Sequence, residues 1–202
     1  MQTDLFGQEI DTGPALPECV EYVADFLQPS EHNTYFHQLK NQIPWQQPMI
    51  EVFGKSHVIP RKQCWMGDSG LSYQYSGQTF FSEPWHSTVD KIRRAVSCYF
   101  PIEPNACLLN LYRDGSDKMG WHSDDEPELG REPVVVIVSL GGARTFQVKR
   151  KSDKRVFSFD VEAGSLLIMK AGMQTTYQHQ IPVRKRQNDP RISLTFRTII
   201  AQ

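Results

Sequence analysis

His122 and Asp124 stand two residues apart, just after the turn-rich run Asp114-Gly115-Ser116-Asp117. In an extended strand residues i and i+2 point to one face, so an imidazole and a carboxylate at this spacing can converge on one metal ion. A third ligand is then needed. His32, His37, His57 and His86 lie upstream, and His179 lies downstream in the half of the chain that is rich in short apolar runs. Two histidines and one carboxylate leave coordination positions open, which suits a non-haem Fe(II) ion. An H-x-D spacing also arises by chance, so the pair requires support from elsewhere in the chain.

That support lies in the terminal run Arg191-Ile192-Ser193-Leu194-Thr195-Phe196-Arg197. A period of two puts Arg191, Ser193, Thr195 and Arg197 on one face and Ile192, Leu194 and Phe196 on the other. The two guanidiniums, about 20 Å apart at a rise of ~3.3 Å per residue, can serve two different anions. A dicarboxylate chelated to a metal needs such an arrangement: one arginine takes the distal carboxylate as a bidentate partner, and the other lies near the metal. Asn110 and Tyr112 share a face of the run 108–112, and both can donate to carboxylate oxygens. The competing reading of the terminal run is an edge strand with a solvated polar face.

The elements that must position these groups change character along the chain. Residues 1–16, with Gly7, Gly13 and Pro14, read as a loosely ordered arm. A short strand is expected over 20–23. Ser30 is the expected N-cap of a helix with Tyr35, Phe36 and Leu39 on its apolar face, stopped by Pro44. A second helix is expected over 88–99, with Val89, Ile92, Val96 and Tyr99 at helical spacing. Beyond residue 100 only short strands are expected: 108–112, 134–140 (buried on both faces), 157–161, 166–169 and 192–200. The fold class is mainly β with flanking helices, a sandwich or barrel.

Composition bounds the rest. The chain has 202 residues and a formal net charge of -1, which fits one domain and excludes a histone-like binder. The longest apolar run, 134–138, is too short to span a bilayer. The acidic, apolar-poor N-terminus is not a signal peptide. Cys19, Cys64, Cys98 and Cys107 form no C-x-x-C, and are expected to be reduced, buried thiols in the cytoplasm or nucleus.

Taken in order, the motifs Asn110-Leu111-Tyr112-Arg113-Asp114-Gly115, Trp121-His122-Ser123-Asp124-Asp125-Glu126, Ser139-Leu140-Gly141, His179-Gln180-Ile181-Pro182 and Arg191 through Arg197 resemble the AlkB family. Its members are Fe(II)- and 2-oxoglutarate-dependent dioxygenases that reverse alkylation of nucleic acid bases. The resemblance covers about residue 50 to the end. It implies a double-stranded β-helix, or jelly roll, within one domain over 17–202, its β core over about 105–202. It implies that His122, Asp124 and His179 hold iron. It also implies that Asn110, Tyr112, Arg191, Thr195 and Arg197 hold 2-oxoglutarate, with Arg191 on the distal carboxylate and O2 as the second cosubstrate.

Residues 50–80 look like the family's nucleotide-recognition lid, in the form found in its duplex-preferring members. Phe53, Gly54 and Lys55 match a hairpin that wedges into the base stack; Arg61, Tyr73, Gln74 and Tyr75 follow. A base within a duplex must be flipped out to reach a metal, and an apolar wedge offsets part of the unstacking cost. Tyr73 and Tyr75 share a strand face and can stack on the flipped base. N1-methyladenine and N3-methylcytosine are cationic, so Asp125 and Glu126 beside the metal ligand would favour them over neutral bases. Arg184, Lys185 and Arg186, with the cluster 149–155, form an expected phosphate-contacting rim. The implied partner is alkylated DNA bound by a monomer, with no membrane role. The same chemistry on RNA or on a protein side chain, a non-catalytic damaged-base module and a zinc hydrolase are the rivals; the last leaves Arg191 and Arg197 without a use.

Overall fold

The computed structural model describes residues 16–52, 55–75 and 78–200. The first half runs β1 (Val20–Val23), α1 (Pro29–Gln42), β2 (Met49–Val52), β3 (Lys55–Val58), β4 (Lys62–Gly67), β5 (Ser72–Tyr75), β6 (Gln78–Phe81), α2 (Ser87–Tyr99) and β7 (Ala106–Tyr112). The second half runs β8 (Met119–His122), β9 (Val135–Gly141), β10 (Arg144–Arg150), β11 (Val156–Val161), β12 (Leu166–Met169), the single turn α3 (Met173–Thr176), β13 (Tyr177–Ile181) and β14 (Arg191–Arg197). Six strands form one antiparallel sheet in the order β1-β12-β9-β14-β7-β4, and four form another in the order β11-β10-β13-β8. β2–β3 and β5–β6 are separate hairpins. The two large sheets face each other as a jelly roll, as the sequence led us to expect.

Strand β14 sits between β9 and β7, and all seven of its residues are buried. It is therefore central rather than an edge. Ile192, Leu194 and Phe196 pack into one core with Tyr35 and Leu39 of α1 and Val89, Ile92 and Val96 of α2. The second core lies between the sheets, where Ile137 and Leu167 meet Phe146, Phe159, Tyr177 and Ile181. Each fully buried side chain of this kind contributes roughly 1.5–3 kcal/mol. The helices thus cover one face of the large sheet, and the small sheet covers the other.

Several boundaries differ from expectation. Helix α1 begins at Pro29 and is capped by Gln28, whose N–H donates to the Glu31 carboxylate at 3.3 Å. Proline is preorganised for the first helical position, so the helix starts ahead of Ser30. His86 caps α2 by accepting the Thr88 N–H on Nδ1 at 3.2 Å. The last strand ends at Arg197, because the Ile199 N–H turns to the Asn105 side chain at 2.7 Å. β4 lies within the stretch read as lid but forms an edge of the main sheet. Lys149 and Arg150 close β10 and do not lie in the loop. Cys64 and Cys107 are buried as expected, but Cys98 is exposed and Cys19 half-buried; Cys98 falls on the solvent side of α2. The arm over 1–15 lies outside the described residues, and no described helix is long and apolar enough to cross a membrane.

The turn after β7 and the loop after β13 touch through backbone alone. The Gly115 N–H donates to the Gln187 carbonyl at 2.8 Å, and the Arg184 N–H donates to the Gly115 carbonyl at 2.7 Å. A Cβ on Gly115 would overlap the Arg184 carbonyl. Gly115→Ala is therefore expected to cost ~1–3 kcal/mol by overpacking, lowering the melting temperature by roughly 2–12 °C in a chain of this size. Thermal unfolding followed by circular dichroism checks this, and an unchanged midpoint would show that the contact yields freely.

Candidate active site

His122 ends β8, His179 lies in β13, and the two strands pair with these residues opposite each other. Asp124 lies beyond the end of β8, so the strand-face argument that linked it to His122 holds for the histidine alone. Ligand atoms of His122, Asp124 and His179 nonetheless fall within 4.8 Å of one another. His122 Nε2 is 3.7 Å from Asp124 Oδ1, and His179 Nε2 is 3.9 Å from Asp124 Oδ2. His122 Nδ1 lies 2.8 Å from the Gly120 carbonyl. A carbonyl only accepts, so Nδ1 carries a proton, and Nε2 is the ring nitrogen beside Asp124. Phe146 stacks on the His179 ring at 5.4 Å and 15°.

The electrostatics keep the ligands in their binding forms. Burial pushes the His179 imidazolium down to about 3, with His122 adding and Asp124 opposing, so the ring is neutral near pH 7. Burial alone would raise the Asp124 carboxyl, but Arg197, then His179 and His122, hold it below the ordinary carboxylate range. Arg197 Nη2 donates to Asp124 Oδ1 at 2.7 Å. Asp124 Oδ2 is buried with no hydrogen-bond partner among the described residues. Two imidazole nitrogens and such a carboxylate oxygen fit a divalent cation.

Behind the triad a narrow cavity runs between the sheets, walled by Asn110, Tyr112, Ile137, Arg191, Ser193 and Thr195. Register explains the gathering: Arg191 faces Tyr112 and Ser193 faces Asn110 across β14 and β7. Arg191 is 1% exposed, and burial lowers its pKa to about 10. Its Nη2 donates to Ser139 Oγ at 2.9 Å, while Nε and Nη1 have no hydrogen-bond partner among the described residues. A buried guanidinium with two donors to spare fits one end of a dicarboxylate, and the triad fits the other. Arg144, also buried, donates to the carbonyls of Asp114, Asp117 and Pro182 at 3.0, 2.8 and 2.9 Å and so braces the two loops at this end.

In front of the triad a groove of about 790 Å³ opens, with His57, Trp65, Trp121 and Glu126 among its walls. Trp121 carries the Lys149 ammonium 4.1 Å above its ring. Asp125 is exposed beside the metal ligand. Arg184 is exposed and paired with Asp160 at 3.1 Å, while Lys185 and Arg186 are exposed in the loop after β13. Phe53 and Gly54 lie outside the described residues. Lys55 begins β3, and Tyr73, Gln74 and Tyr75 belong to β5. Sequence reasoning passed over Trp65, Arg144 and Gln174, and quoted Trp121 and Ser139 within motifs without giving either a role.

Arg61 lines the groove and also reaches a residue of the narrow cavity. It is 6% exposed at the floor of the groove, and its Nε donates to Asn110 Oδ1 at 2.8 Å. By holding Asn110, Arg61 orients an amide in the cosubstrate cavity. Arg61→Met is therefore expected to weaken 2-oxoglutarate affinity by about 1 kcal/mol or more, roughly fivefold or more, and to leave oligonucleotide affinity largely intact. Calorimetric titration with each ligand separates the two roles, and a loss confined to the oligonucleotide would assign Arg61 to substrate alone.

Residues 19–197 match the family described as the 2OG-Fe(II) oxygenase superfamily. The DNA oxidative demethylase ALKBH2 of Homo sapiens is 39% identical over 159 residues, covering 75% of this chain and 61% of that protein. The alpha-ketoglutarate-dependent dioxygenase alkB homolog 3 of Homo sapiens is 32% identical over 202 residues, covering 95% of this chain and 70% of that protein. This chain thus spans about three-fifths of the length of the bovine and human ALKBH2 relatives. The solved structure of OsALKBH1 has a TM-score of 0.62 at 22% identity, covering 91% of this chain and 100% of that one, which is a likeness of fold. With nearly its whole length matched and a site built for a metal and a dicarboxylate, the chain belongs to the 2OG-Fe(II) oxygenase superfamily, in its AlkB family.

Proposed function

We propose that this protein removes methyl groups from alkylated nucleic acid bases by oxidation, with N1-methyladenine and N3-methylcytosine in DNA as the substrate type. The observation that carries the reading is the junction of two spaces at His122, Asp124 and His179. A narrow cavity ending on Arg191 lies behind them, and a wide groove with aromatic walls lies in front. The relatives named DNA oxidative demethylase support DNA as the substrate. The reading places the protein in the cytoplasm, or in the nucleus of a eukaryote, acting as a monomer.

Bound at the triad, Fe(II) with 2-oxoglutarate and O2 supplies oxidation of the N-methyl carbon, which leaves as formaldehyde while 2-oxoglutarate becomes succinate and CO2. The protein's share is position and electrostatics. Arg191 takes the far carboxylate, Asn110 and Tyr112 hydrogen-bond the cosubstrate, and Thr195 and Arg197 close the metal end. Ile137, Phe146 and Ile181 keep water from the cavity. Asp125 and Glu126 attract the cationic base, Trp65 and Trp121 offer faces for stacking, and Lys149, Lys185 and Arg186 supply positive charge for phosphates. Phe53 is the proposed wedge, on the sequence alone.

Two measurements test this. The purified protein with Fe(II), 2-oxoglutarate and a methylated oligonucleotide is expected to release formaldehyde and succinate together. Arg191→Ala is expected to weaken 2-oxoglutarate affinity on the order of 10- to 150-fold, the worth of a charge-assisted hydrogen bond. Succinate without formaldehyde from every methylated oligonucleotide, single-stranded or annealed, DNA or RNA, would reject a base as the substrate.

Phe53→Ala is expected to lose roughly 5- to 150-fold in rate over affinity on an annealed oligonucleotide, the stacking of one ring. The same strand alone should be repaired nearly as before, because it has no stack to hold open. Equal losses on both, with a fall in melting temperature, would make Phe53 a packing residue.

A further inference from the structure

Asp124 is the one member of the triad that no strand ladder holds. β8 stops at His122, and Ser123 and Asp124 continue past its end. Side-chain bonds from the opposite side of the site take over. Ser123 Oγ donates to the Tyr177 carbonyl at 3.0 Å, and the Asp124 N–H donates to Gln174 Oε1 at 3.0 Å. Gln174 is 2% exposed and lies in α3, the single turn that leads into β13 and so into His179. Among the described residues its Nε2 meets the weak acceptor Met169 Sδ at 3.7 Å, and the Asp124 N–H, which needs an acceptor, fixes the amide with its oxygen toward Asp124. The Gln174 backbone carbonyl accepts from Lys151 Nζ at 2.7 Å.

We infer that Gln174 is a positioning residue for the iron site, with its side-chain oxygen setting where the Asp124 backbone stands. That position decides whether the carboxylate reaches both histidines, since its oxygens lie 3.7 Å from His122 Nε2 and 3.9 Å from His179 Nε2. An amide oxygen suits the task because it accepts from the Asp124 N–H, and a carboxylate oxygen in its place would accept as well. An asparagine is one methylene too short to span the same gap. α3 thereby ties two ligands together: it delivers His179 along the chain and holds Asp124 through Gln174.

The inference rests on the triad holding iron, and the test separates the two. Chelator-stripped protein is titrated with Mn(II) as the probe, and melting temperature and 2-oxoglutarate affinity are measured on the same samples. Gln174→Met keeps the shape and removes the acceptor, so Mn(II) affinity is expected to fall by about 10- to 100-fold, as for other groups that orient a metal ligand. Gln174→Glu restores the acceptor and is expected to bind Mn(II) at least as well as about one third of the wild-type affinity. Met169→Leu removes the amide's other contact and is expected to leave Mn(II) affinity within about twofold of wild type. A folded Gln174→Met with a lower melting temperature but wild-type Mn(II) affinity would reduce Gln174 to packing and overturn the inference. Where Gln174→Met does not fold, a tenfold or larger loss in Gln174→Glu would overturn it, since the acceptor is still present. Wild-type protein that does not bind Mn(II) would remove the iron site itself.

Discussion

A buried carboxylate keeps its charge only with a compensating partner, and at Asp124 that partner is Arg197, 2.7 Å away. Both side chains are more than nine-tenths buried, where removing one member of such a pair costs about 3–5 kcal/mol. The pair therefore ties the metal ligand to β14, and β14 is the strand that also carries Arg191. Asp124 and Arg197 cancel, while Arg191 has no acidic partner among the described residues. The interior is left with excess positive charge at the closed end, where a dianion would be drawn, and with an acceptor-rich cluster at the open end, where a cation would be drawn.

That division is possible because the large sheet is buried on both faces. Helices α1 and α2 consume the apolar face of β14 and leave its polar face free for chemistry. A strand with one face in solvent could not do this, because guanidiniums there would be hydrated and would bind carboxylates weakly. The braces of Arg144 on three loop carbonyls act in the same direction, since they fix the ends of β7 and β13 without occupying the cavity.

Legibility followed the range of the interaction that matters. The parity of Arg191 through Arg197 could be read from seven residues, because strand alternation is local, and so could the two helices. β10 and β13 escaped notice because their alternate residues are polar and each has only two buried apolar ones, Phe146 and Val148 in one and Tyr177 and Ile181 in the other. What holds the Asp124 backbone in place was out of reach for a different reason. Its backbone is held by a side chain 50 residues away, and nothing local to either residue marks that bond. The bond of Arg61 to Asn110 was out of reach likewise, since the two are 49 residues apart. Pair contacts between a side chain and a distant backbone atom leave no periodicity to read.

The stacked ammonium of Lys149 over Trp121 has an optical consequence. An indole's emission responds to charge and water at its faces, and this one adjoins His122 while lining the groove. Its fluorescence is thus exposed to quenching by a paramagnetic ion on one side and to displacement of solvent on the other. Trp65 shares the groove wall and packs against Ala106, Leu129 and Ile199, away from the histidine ligands. The protein carries its own light source at the meeting point of cosubstrate and substrate, so loading of the two spaces can be followed in time without an attached dye.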